Sequence, residues 1–232
     1  KDSPDHCFLS CKDNGAGMSR EILETKFLVM GETTKGSADD VGGFGKARVL
    51  ICWAQDSYQI VSDDYICEGH GAGYNVIDNP NGKVRGCSFE IKTQRANWEY
   101  ILKQILDNCN LWQQIYINGE LYTAGNKHRG KLIRNLSFGD MYANKSANES
   151  KMIVRVNGVW MFTKFISAKA RVSVEISPEK SRAVLTSNRD SLQYAEQQEL
   201  DQFLNELASD TKSALRDKTK KFIHFANKNK CF

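Results

Sequence analysis

Two glycine-rich turns near the start of the chain constrain its fold more than any other feature of the sequence. Residues 13–18 have the sequence DNGAGM and follow an apolar, strand-like run at 8–11. Residues 41–47 have the sequence VGGFGKA and lead into residues 46–54, which we predict to be a buried helix. Glycine adopts positive φ and lets a flat ligand come close to the backbone. The two turns together predict a cleft lined by backbone.

The composition is that of an ordinary globular protein. The chain has 232 residues, of which 41% are hydrophobic and 26% are charged. Its apolar runs are shorter than the roughly 18–20 residues that span a bilayer, and no secretory signal pattern opens the sequence. We therefore expect a cytoplasmic protein with no membrane partner.

The seven cysteines do not form a metal or redox motif. They are scattered without a CxxC pair, and most lie beside apolar residues, as in Leu50-Ile51-Cys52-Trp53. Zinc sites and redox dithiols are usually marked by close pairing. We interpret the thiols as small buried hydrophobes in a reducing compartment, and we assign no metal ligand.

Short alternating runs in the first half predict a sheet. Ser19 is expected to cap a helix over residues 20–30, whose apolar residues have helical spacing. A strong turn signal at 78–82 separates two of the strands. The predicted strands are residues 8–11, 58–62, 74–77 and 87–92.

The second half predicts a further domain of mixed strands and helices. A helix at 98–106 marks the passage to it, so that we divide the chain into domains 1–95 and 96–232. Asn118-Gly119 and Asn157-Gly158 are hairpin dipeptides within alternating segments. Ser187–Asp190 has the form of a capping box ahead of a long C-terminal helix. The predicted strands are 114–122, 152–165 and 171–176, and the apolar stripe of the helix is Leu200, Phe203, Leu204, Leu207 and Leu215.

Each glycine turn has a chemical interpretation and a simpler one. Asp13 at a strand end offers a carboxylate acceptor for the exocyclic amine of adenine, but DxGxG is also a common turn. The amides of residues 42–45 and the charge of Lys46 would favour phosphate at a helix start, although glycine turns have many other uses. The second turn is neither a Walker A loop nor a dinucleotide fingerprint.

The combination of the two turns, 24 residues apart between Gly17 and Val41, is more specific. DNGAGM resembles the DxGxG box of the GHKL ATPases, the superfamily of gyrase B, heat-shock chaperones, histidine kinases and MutL, and VGGFGKA resembles their second glycine box. Residues 31–37, GETTKGS, are similar to the lid segment of that superfamily. Residues 86–91 fall where its members have a strand that opens with Gly-Thr, and here Cys87 replaces the threonine. Ala47 stands where many members keep a glycine. The resemblance covers roughly residues 5–92.

The resemblance implies a site for ATP with Mg²⁺. The Asp13 carboxylate would accept a hydrogen bond from the adenine amine, and residues 33–35 would belong to a lid over the nucleotide. The phosphates would lie against the second glycine box. The implied site residues are Asp13, Gly15, Gly17, Met18 and Cys87 around the base, Thr33, Thr34 and Lys35 in the lid, and Gly42, Gly43, Phe44, Gly45 and Lys46 at the phosphates.

The second domain resembles the transducer or middle domain of gyrase B, MutL and the large chaperones. Residues 184–193, VLTSNRDSLQ, are similar to the chaperone segment whose arginine reaches the γ-phosphate. On that comparison Arg189 is the catalytic sensor, with Gln193 one turn further along the helix. The alternative is a surface arginine at a helix start, paired with Asp190 or Glu196.

One element of the superfamily is missing from the sequence. Its members carry a general-base glutamate and a Mg²⁺-binding asparagine on a helix before the DxGxG strand, and the twelve residues before Asp13 contain no such pair. We expect that helix upstream of residue 1, with loss of catalysis as the other explanation.

The predicted fold class is α+β. It combines a Bergerat-type α/β sandwich, with a mixed, largely antiparallel sheet and helices on one face, and a smaller transducer-like α+β domain. The predicted function is that of an ATP-binding and ATP-hydrolysing conformational machine, chaperone-like or DNA-processing, that can form a homodimer. The alternatives are a non-hydrolysing nucleotide-gated module and, less favoured, a protein kinase. A basic C-terminal tail could contact DNA or a protein client, or could be a solvated helix face. Its cations are Lys212, Arg216, Lys218, Lys220, Lys221, Lys228 and Lys230.

Overall fold

The structure, a computed structural model, describes residues 5–32, 48–111, 114–122, 130–145 and 149–228. In the last helix the side chains of residues 210–215, 218 and 221–228 are not described. The chain divides into two compact units, Lys1–Leu102 and Lys103–Phe232, of which the second spans more residues.

The first unit is built on a five-stranded antiparallel sheet with the order β1-β5-β2-β3-β4. Its strands are β1 His6–Lys12, β2 Ser57–Asp63, β3 Tyr65–His70, β4 Gly73–Asp78 and β5 Val84–Gln94. Because the first and last strands of this unit pair with each other, the turn after β1 lies beside the start of β5. The two segments that carry the sequence motifs DNGAGM and GCSFEI are therefore neighbours.

Helical segments pack on one face of this sheet. They are α1 Arg20–Ile22, the π-helical turn Leu23–Phe27 that continues it, and a second π-helical turn, Val49–Trp53. Side chains alternate across a strand, so that every second residue of β2, β3 and β5 faces these helical turns. The buried core on this inner face consists of Leu23, Leu28, Cys52, Tyr58, Ile60, Tyr65, Cys67 and Cys87. The predicted α+β class, with a largely antiparallel sheet and helices on one face, is confirmed.

Two helix predictions in this unit need correction. Ser19 caps as predicted, since its Oγ accepts from the Ile22 N–H at 3.3 Å, but regular helix ends at Phe27 rather than at residue 30. Leu28 follows as the C-cap, with a φ of −90° and a ψ of 7°, and Gly31, with a φ of +82°, belongs to the turn after it. The helix predicted at 46–54 is described only from Arg48 onward, and Leu50 is 69% exposed. That turn buries one face and exposes the other.

The second unit contains a mixed five-stranded sheet with the order β11-β10-β12-β9-β8. Only β10 and β12 pair in parallel among its described strands. Its strands are β8 Lys131–Leu136, β9 Gly139–Asn144, β10 Lys151–Val156, β11 Val159–Phe165 and β12 Arg171–Ile176, and a separate hairpin pairs β6 Ile115–Ile117 with β7 Glu120–Tyr122. The helices are α2 Trp98–Asn108, α3 Ser181–Val184 and α4 Tyr194–Lys228. Both Asn-Gly dipeptides form hairpin turns with positive φ, as predicted.

The predicted capping box at residues 187–190 is wrong. The long helix α4 begins at Tyr194, and a tight hairpin closed by a bridge between Leu185 and Leu192 precedes it. Thr186 and Ser191 hydrogen-bond across this hairpin, and Gln193 lies before the helix rather than within it. The Asp190 carboxylate, which resembled part of a helix cap, accepts from the hydroxyls of Thr186 and Ser191 in the hairpin instead. The core stripe of α4 is confirmed at Leu200 and Leu207, which are buried.

Buried arginines fix the end of α2 within the second unit. Arg155 is fully buried, pairs with Glu175 at 2.8 Å and donates from Nε to the Asn108 carbonyl oxygen. Arg171 donates to the Asp107 carbonyl oxygen at 3.2 Å. Cations stabilise the exposed carbonyl groups at a helix C-terminus, which explains why the sheet buries two guanidinium groups there. Among the described helices, none is both long and apolar enough to cross a membrane.

Candidate functional site

The carboxylate of Asp13 is held in place by backbone groups. Asp13 follows β1, and its N–H donates to the Cys87 carbonyl oxygen at 2.9 Å. Its Oδ1 accepts from the Gly15 N–H at 2.9 Å and from the Cys87 N–H at 3.2 Å. Within the described residues the other oxygen, Oδ2, has no hydrogen-bond partner, and the residue is exposed. Asp13 therefore presents one fixed, unused acceptor.

Two glycines bring the turn against β5. Gly17 has a φ of +77°, and a Cβ there would lie 2.8 Å from both the Gly86 carbonyl oxygen and the Ser62 Oγ. Gly86 has a φ of +79°, and its Cβ would lie 2.1 Å from the Asp13 carbonyl oxygen. No side chain fits at either position, so both must be glycine.

Ser62 on β2 is a polar residue of the site that the sequence analysis missed. It is fully buried, accepts from the Met18 N–H at 2.9 Å and donates to the Gly86 carbonyl oxygen at 2.9 Å. One signal could have identified it: Ser62 is in phase with Tyr58 and Ile60 in an alternating strand. A hydroxyl at a predicted core position needs hydrogen-bond partners.

Cys87 contributes its backbone rather than its side chain. The thiol is 6% exposed, and burial raises its pKa to about 11, although the Ser62 hydroxyl lowers it somewhat. It is therefore a neutral thiol at pH 7, which is a weak hydrogen-bonding group. The Cys87 N–H holds Asp13, and the role expected of a threonine hydroxyl is not supplied at position 87.

The remaining predicted base residues lie in the same place. Gly15 donates its N–H to Asp13, and Met18 is half-buried against the inner-face core. The lid and phosphate residues lie outside the described residues: Thr33, Thr34, Lys35, Gly42, Gly43, Phe44, Gly45 and Lys46.

Two residues that flank residues 33–47 in the chain contact each other. Arg48 is 4% exposed and donates from Nη2 to the Glu32 carbonyl oxygen. Burial lowers the pKa of this arginine, partly offset by the Glu32 carboxylate. Lys26 forms an ion pair with Glu32 at 2.8 Å. Glu32 and Arg48, which lie on either side of residues 33–47 in the sequence, are therefore close to each other in space.

Arg189 lies at the tip of the 185–192 hairpin in the second unit. Its φ is +59°, a conformation that costs about 1–2 kcal/mol for a residue with a side chain. Its N–H donates to the Thr186 carbonyl oxygen at 2.9 Å, and the Thr186 hydroxyl donates to Asp190 at 2.9 Å. Burial lowers the pKa of the guanidinium. Backbone strain of this kind is concentrated at functional sites.

In the part of the chain that the structure describes, one carboxylate oxygen beside glycine backbone offers an acceptor to a ligand that carries a hydrogen-bond donor, and no metal ligand is assigned. Among the described residues, no group of three or more His, Cys, Asp or Glu side chains could hold a metal ion. An open cavity of about 600 Å³ adjoins the turn, lined by Asn14, Gly15, Ala16, Lys83, Val84 and Arg85.

The described architecture, an antiparallel sheet with helical turns on one face in the first unit and a mixed sheet in the second, has counterparts among solved structures. Two solved structures show this likeness. The ATPase region of Saccharomyces cerevisiae topoisomerase II matches with a TM-score of 0.53 and 11% identity, over 80% of this chain and 68% of that chain. The same region bound to ICRF-187 (dexrazoxane) matches with a TM-score of 0.57 and 10% identity, over 90% of this chain and 76% of that chain.

The likeness is one of fold. No family model matches the sequence, and no curated protein matches it. At 10–11% identity the two structures share the fold of this chain, and the likeness assigns no role to individual residues.

Proposed function

We propose that this chain binds and hydrolyses ATP and uses the cycle to change conformation, as a GHKL-type machine. The observation that carries the proposal is the Asp13 carboxylate, whose Oδ1 is held by two backbone N–H groups while Oδ2 has no partner among the described residues. The fold of the topoisomerase II ATPase region supports the same assignment. The role of the chain is proposed to be chaperone-like or DNA-processing.

Asp13 recognises the base by hydrogen-bond complementarity. The exocyclic amine of adenine is a donor, and Asp13 Oδ2 is an acceptor already oriented by the bonds to Oδ1. Hydrogen bonds to a charged group contribute more than neutral ones, roughly 1.5–3 kcal/mol. The Gly17 backbone packs directly on Gly86 and Ser62, where a side chain would clash, and the adenine is proposed to lie against the backbone of Gly17 and Met18.

The triphosphate is assigned to residues that follow in the chain. The amides of Gly42–Gly45 and the Lys46 ammonium would hold the phosphates, and Thr33, Thr34 and Lys35 would cover them. Mg²⁺ would neutralise part of the triphosphate charge.

Arg189 is the proposed sensor of the γ-phosphate. A guanidinium stabilises the charge that spreads over the phosphoryl oxygens during transfer. Its strained backbone supports a functional role. Turnover also needs a general base, which none of the residues assigned here supplies. Binding of ATP is proposed to favour a homodimer, and hydrolysis to release it.

The alternative is a nucleotide-gated module that binds ATP without hydrolysing it. The observation in its favour is the basic C-terminal half of α4, in which Arg216 and Lys220 are exposed. A helix with this charge could contact DNA or an acidic partner. In this alternative ATP controls binding rather than driving a cycle.

ATP binding and turnover by the full-length protein, compared with Asp13→Asn, test the proposal. The asparagine keeps an oxygen for the N–H groups of Gly15 and Cys87 but replaces the free acceptor by an amide donor. We expect ATP affinity to fall at least about tenfold. Asp64→Asn, on an exposed turn of the same unit, is the matched control and should bind normally.

Inosine triphosphate provides the complementary measurement. Its base has a carbonyl where adenine has the amine, so that the side-chain amide introduced by Asp13→Asn can donate to it. We expect Asp13→Asn to lose or reverse the preference for ATP over inosine triphosphate. Equal ATP binding by the wild type and the variant would refute the role of Asp13. Binding by the wild type with no turnover would favour the non-hydrolysing alternative.

A further inference from the structure

We propose that Ser62 is the residue that sets base specificity, by positioning the groups that contact adenine. The inference rests on the proposed function, because it concerns the same base site. Ser62 lies outside the sequence motifs, yet its fully buried hydroxyl on β2 joins the two segments that form the site. Neither segment is adjacent to Ser62 in the sequence.

The peptide group between Gly86 and Cys87 connects the Ser62 hydroxyl to the Asp13 carboxylate. Its carbonyl oxygen accepts from the Ser62 hydroxyl at 2.9 Å, and its N–H donates to Asp13 Oδ1 at 3.2 Å. A peptide group is planar, so that fixing the carbonyl also fixes the direction of the N–H. Ser62 therefore orients the Asp13 carboxylate through one rigid unit, and a polarised chain of hydrogen bonds strengthens both contacts.

The same hydroxyl also contacts the backbone of the DNGAGM turn at Gly17 and Met18. Ser62 Oγ accepts from the Met18 N–H at 2.9 Å, and Gly17 packs directly on the same oxygen, because a Cβ at Gly17 would lie 2.8 Å from it. One hydroxyl thus sets both the acceptor of the site and the backbone over which the ring would lie. Removing the Ser62 hydroxyl would therefore release the Asp13 carboxylate and the Met18 backbone together.

The position of Ser62 also accounts for the thiol at position 87. Ser62 and Cys87 are directly opposite each other on β2 and β5, with side chains on the inner face. The hydroxyl that the GHKL resemblance places at 87 is present one strand away. Its single proton is used by the Gly86 carbonyl, so that Ser62 acts through backbone groups and is a positioning residue rather than a direct ligand. Ser88 faces the other side of the sheet, since side chains alternate.

The experiment compares Ser62→Ala with Ser88→Ala in the full-length protein. We expect Ser62→Ala to lower ATP affinity about tenfold, because the Asp13 carboxylate and the Met18 backbone are then no longer held in place and must be ordered when the base binds. The preference for ATP over inosine triphosphate should fall, while affinity for inorganic tripolyphosphate stays unchanged. A purely structural serine would lower all three affinities together. Ser88→Ala is expected to match the wild type in each.

A second variant keeps the test decisive if Ser62→Ala does not fold. Ser62→Cys preserves the shape and a weaker donor, and we expect an intermediate loss of base preference. A wild-type preference in Ser62→Cys, or in a folded Ser62→Ala, would overturn the role of Ser62 while leaving ATP binding intact. No ATP binding by the wild type would instead overturn the proposed function, and this assignment with it.

Discussion

At the scale of single residues, the site depends on how Asp13 is held. A free carboxylate on a flexible turn would lose conformational entropy on contacting a ligand. Here two N–H groups, from Gly15 and Cys87, already fix one oxygen. The second oxygen is therefore pre-oriented, which favours a directional contact with a base over nonspecific attraction of cations.

Arg189 is the residue whose proposed role differs most from that of an ordinary surface arginine. We predict that Arg189→Ala lowers kcat for ATP about 10²–10³-fold, because it removes a group that stabilises transition-state charge. The dissociation constant of ATP should change much less. Steady-state turnover and equilibrium binding on the same preparations measure the two effects.

The matched controls separate charge from backbone strain. Arg182→Ala removes an exposed arginine of the same unit and should retain wild-type turnover. Arg189→Gly relieves the positive φ, so that its unfolding free energy should stay within about 1 kcal/mol of the wild type while turnover is lost. Normal turnover in both Arg189 variants would mean that this arginine has only a structural role.

Sequence reasoning finds some residues of the site and misses others for a physical reason. Asp13 and Gly17 belong to a local motif, so that a short stretch of sequence indicates them. Ser62 acts through residues 44 and 24 positions away in the sequence. The one local sign is a polar residue at a position where the alternation of the strand predicts a buried side chain. Arg48 is similar, since its burial depends on a contact with Glu32.

At the scale of secondary-structure elements, the contact between the DNGAGM turn and β5 is the tightest of the site. We predict that Gly86→Ala destabilises the protein by more than about 2 kcal/mol, because a Cβ would lie 2.1 Å from the Asp13 carbonyl oxygen and φ is positive. ATP affinity should fall as well. Chemical denaturation followed by tryptophan fluorescence measures the stability.

Gly82→Ala is the control for the backbone conformation alone. Gly82 has a φ of +77°, nearly that of Gly86, but nothing lies within 4 Å of its would-be Cβ. Its substitution should cost only about 1 kcal/mol. Equal losses in the two variants would show that the close approach of Gly86 to Asp13 contributes nothing.

The inner face of the sheet makes the first unit sensitive to alkaline pH. Burial raises the pKa of Cys52 to about 12 and those of Cys67 and Cys87 to about 11, from an ordinary value of 9.0. Thiols that stay protonated in the folded state contribute stability that is present below pH 9 and is lost as pH rises toward 11–12. We predict that the unfolding free energy falls above pH 9, by up to about 1.4 kcal/mol per pH unit for each thiol.

Urea denaturation between pH 8 and 10.5 measures this slope. Cys67→Val removes one titrating group and should make the slope shallower, whereas Cys7→Val, on β1 outside the buried core, should leave it unchanged. A slope that is the same in all three proteins would show that the buried thiols do not determine the pH dependence.

Element predictions succeed where the pattern is local. The Asn-Gly hairpins and the apolar stripe of α4 follow from turn chemistry and helical spacing, and both are present. Strands β3, β8 and β9 are present in the structure but are not predicted from the sequence pattern. Most of β8 is exposed, so that it lacks the apolar alternation of a half-buried strand. The hairpin before α4 resembles a helix cap in sequence because a carboxylate, Asp190, that accepts from nearby hydroxyls in the hairpin could equally cap a helix.

At the scale of the whole molecule, the chain combines a five-stranded antiparallel sheet and a mixed five-stranded sheet, one in each unit. The fold class was predicted from the resemblance of two glycine turns to the GHKL motifs, and the first of the two turns lies in the part of the chain that the structure describes. Arg155 and Arg171 of the second sheet hold the last carbonyl groups of α2. The C-terminal end of α2 is therefore fixed to that sheet by charged groups that no local sequence pattern indicates.

The central claim is that Asp13 and the backbone of residues 42–46 hold opposite ends of one ATP molecule. A crystal structure of the full-length protein with a non-hydrolysable ATP analogue tests it most directly. The account predicts the adenine amine about 3 Å from an Asp13 carboxylate oxygen, with the phosphates against the amides of residues 42–46. A nucleotide bound elsewhere, or bound here with its amine directed away from Asp13, would contradict the account.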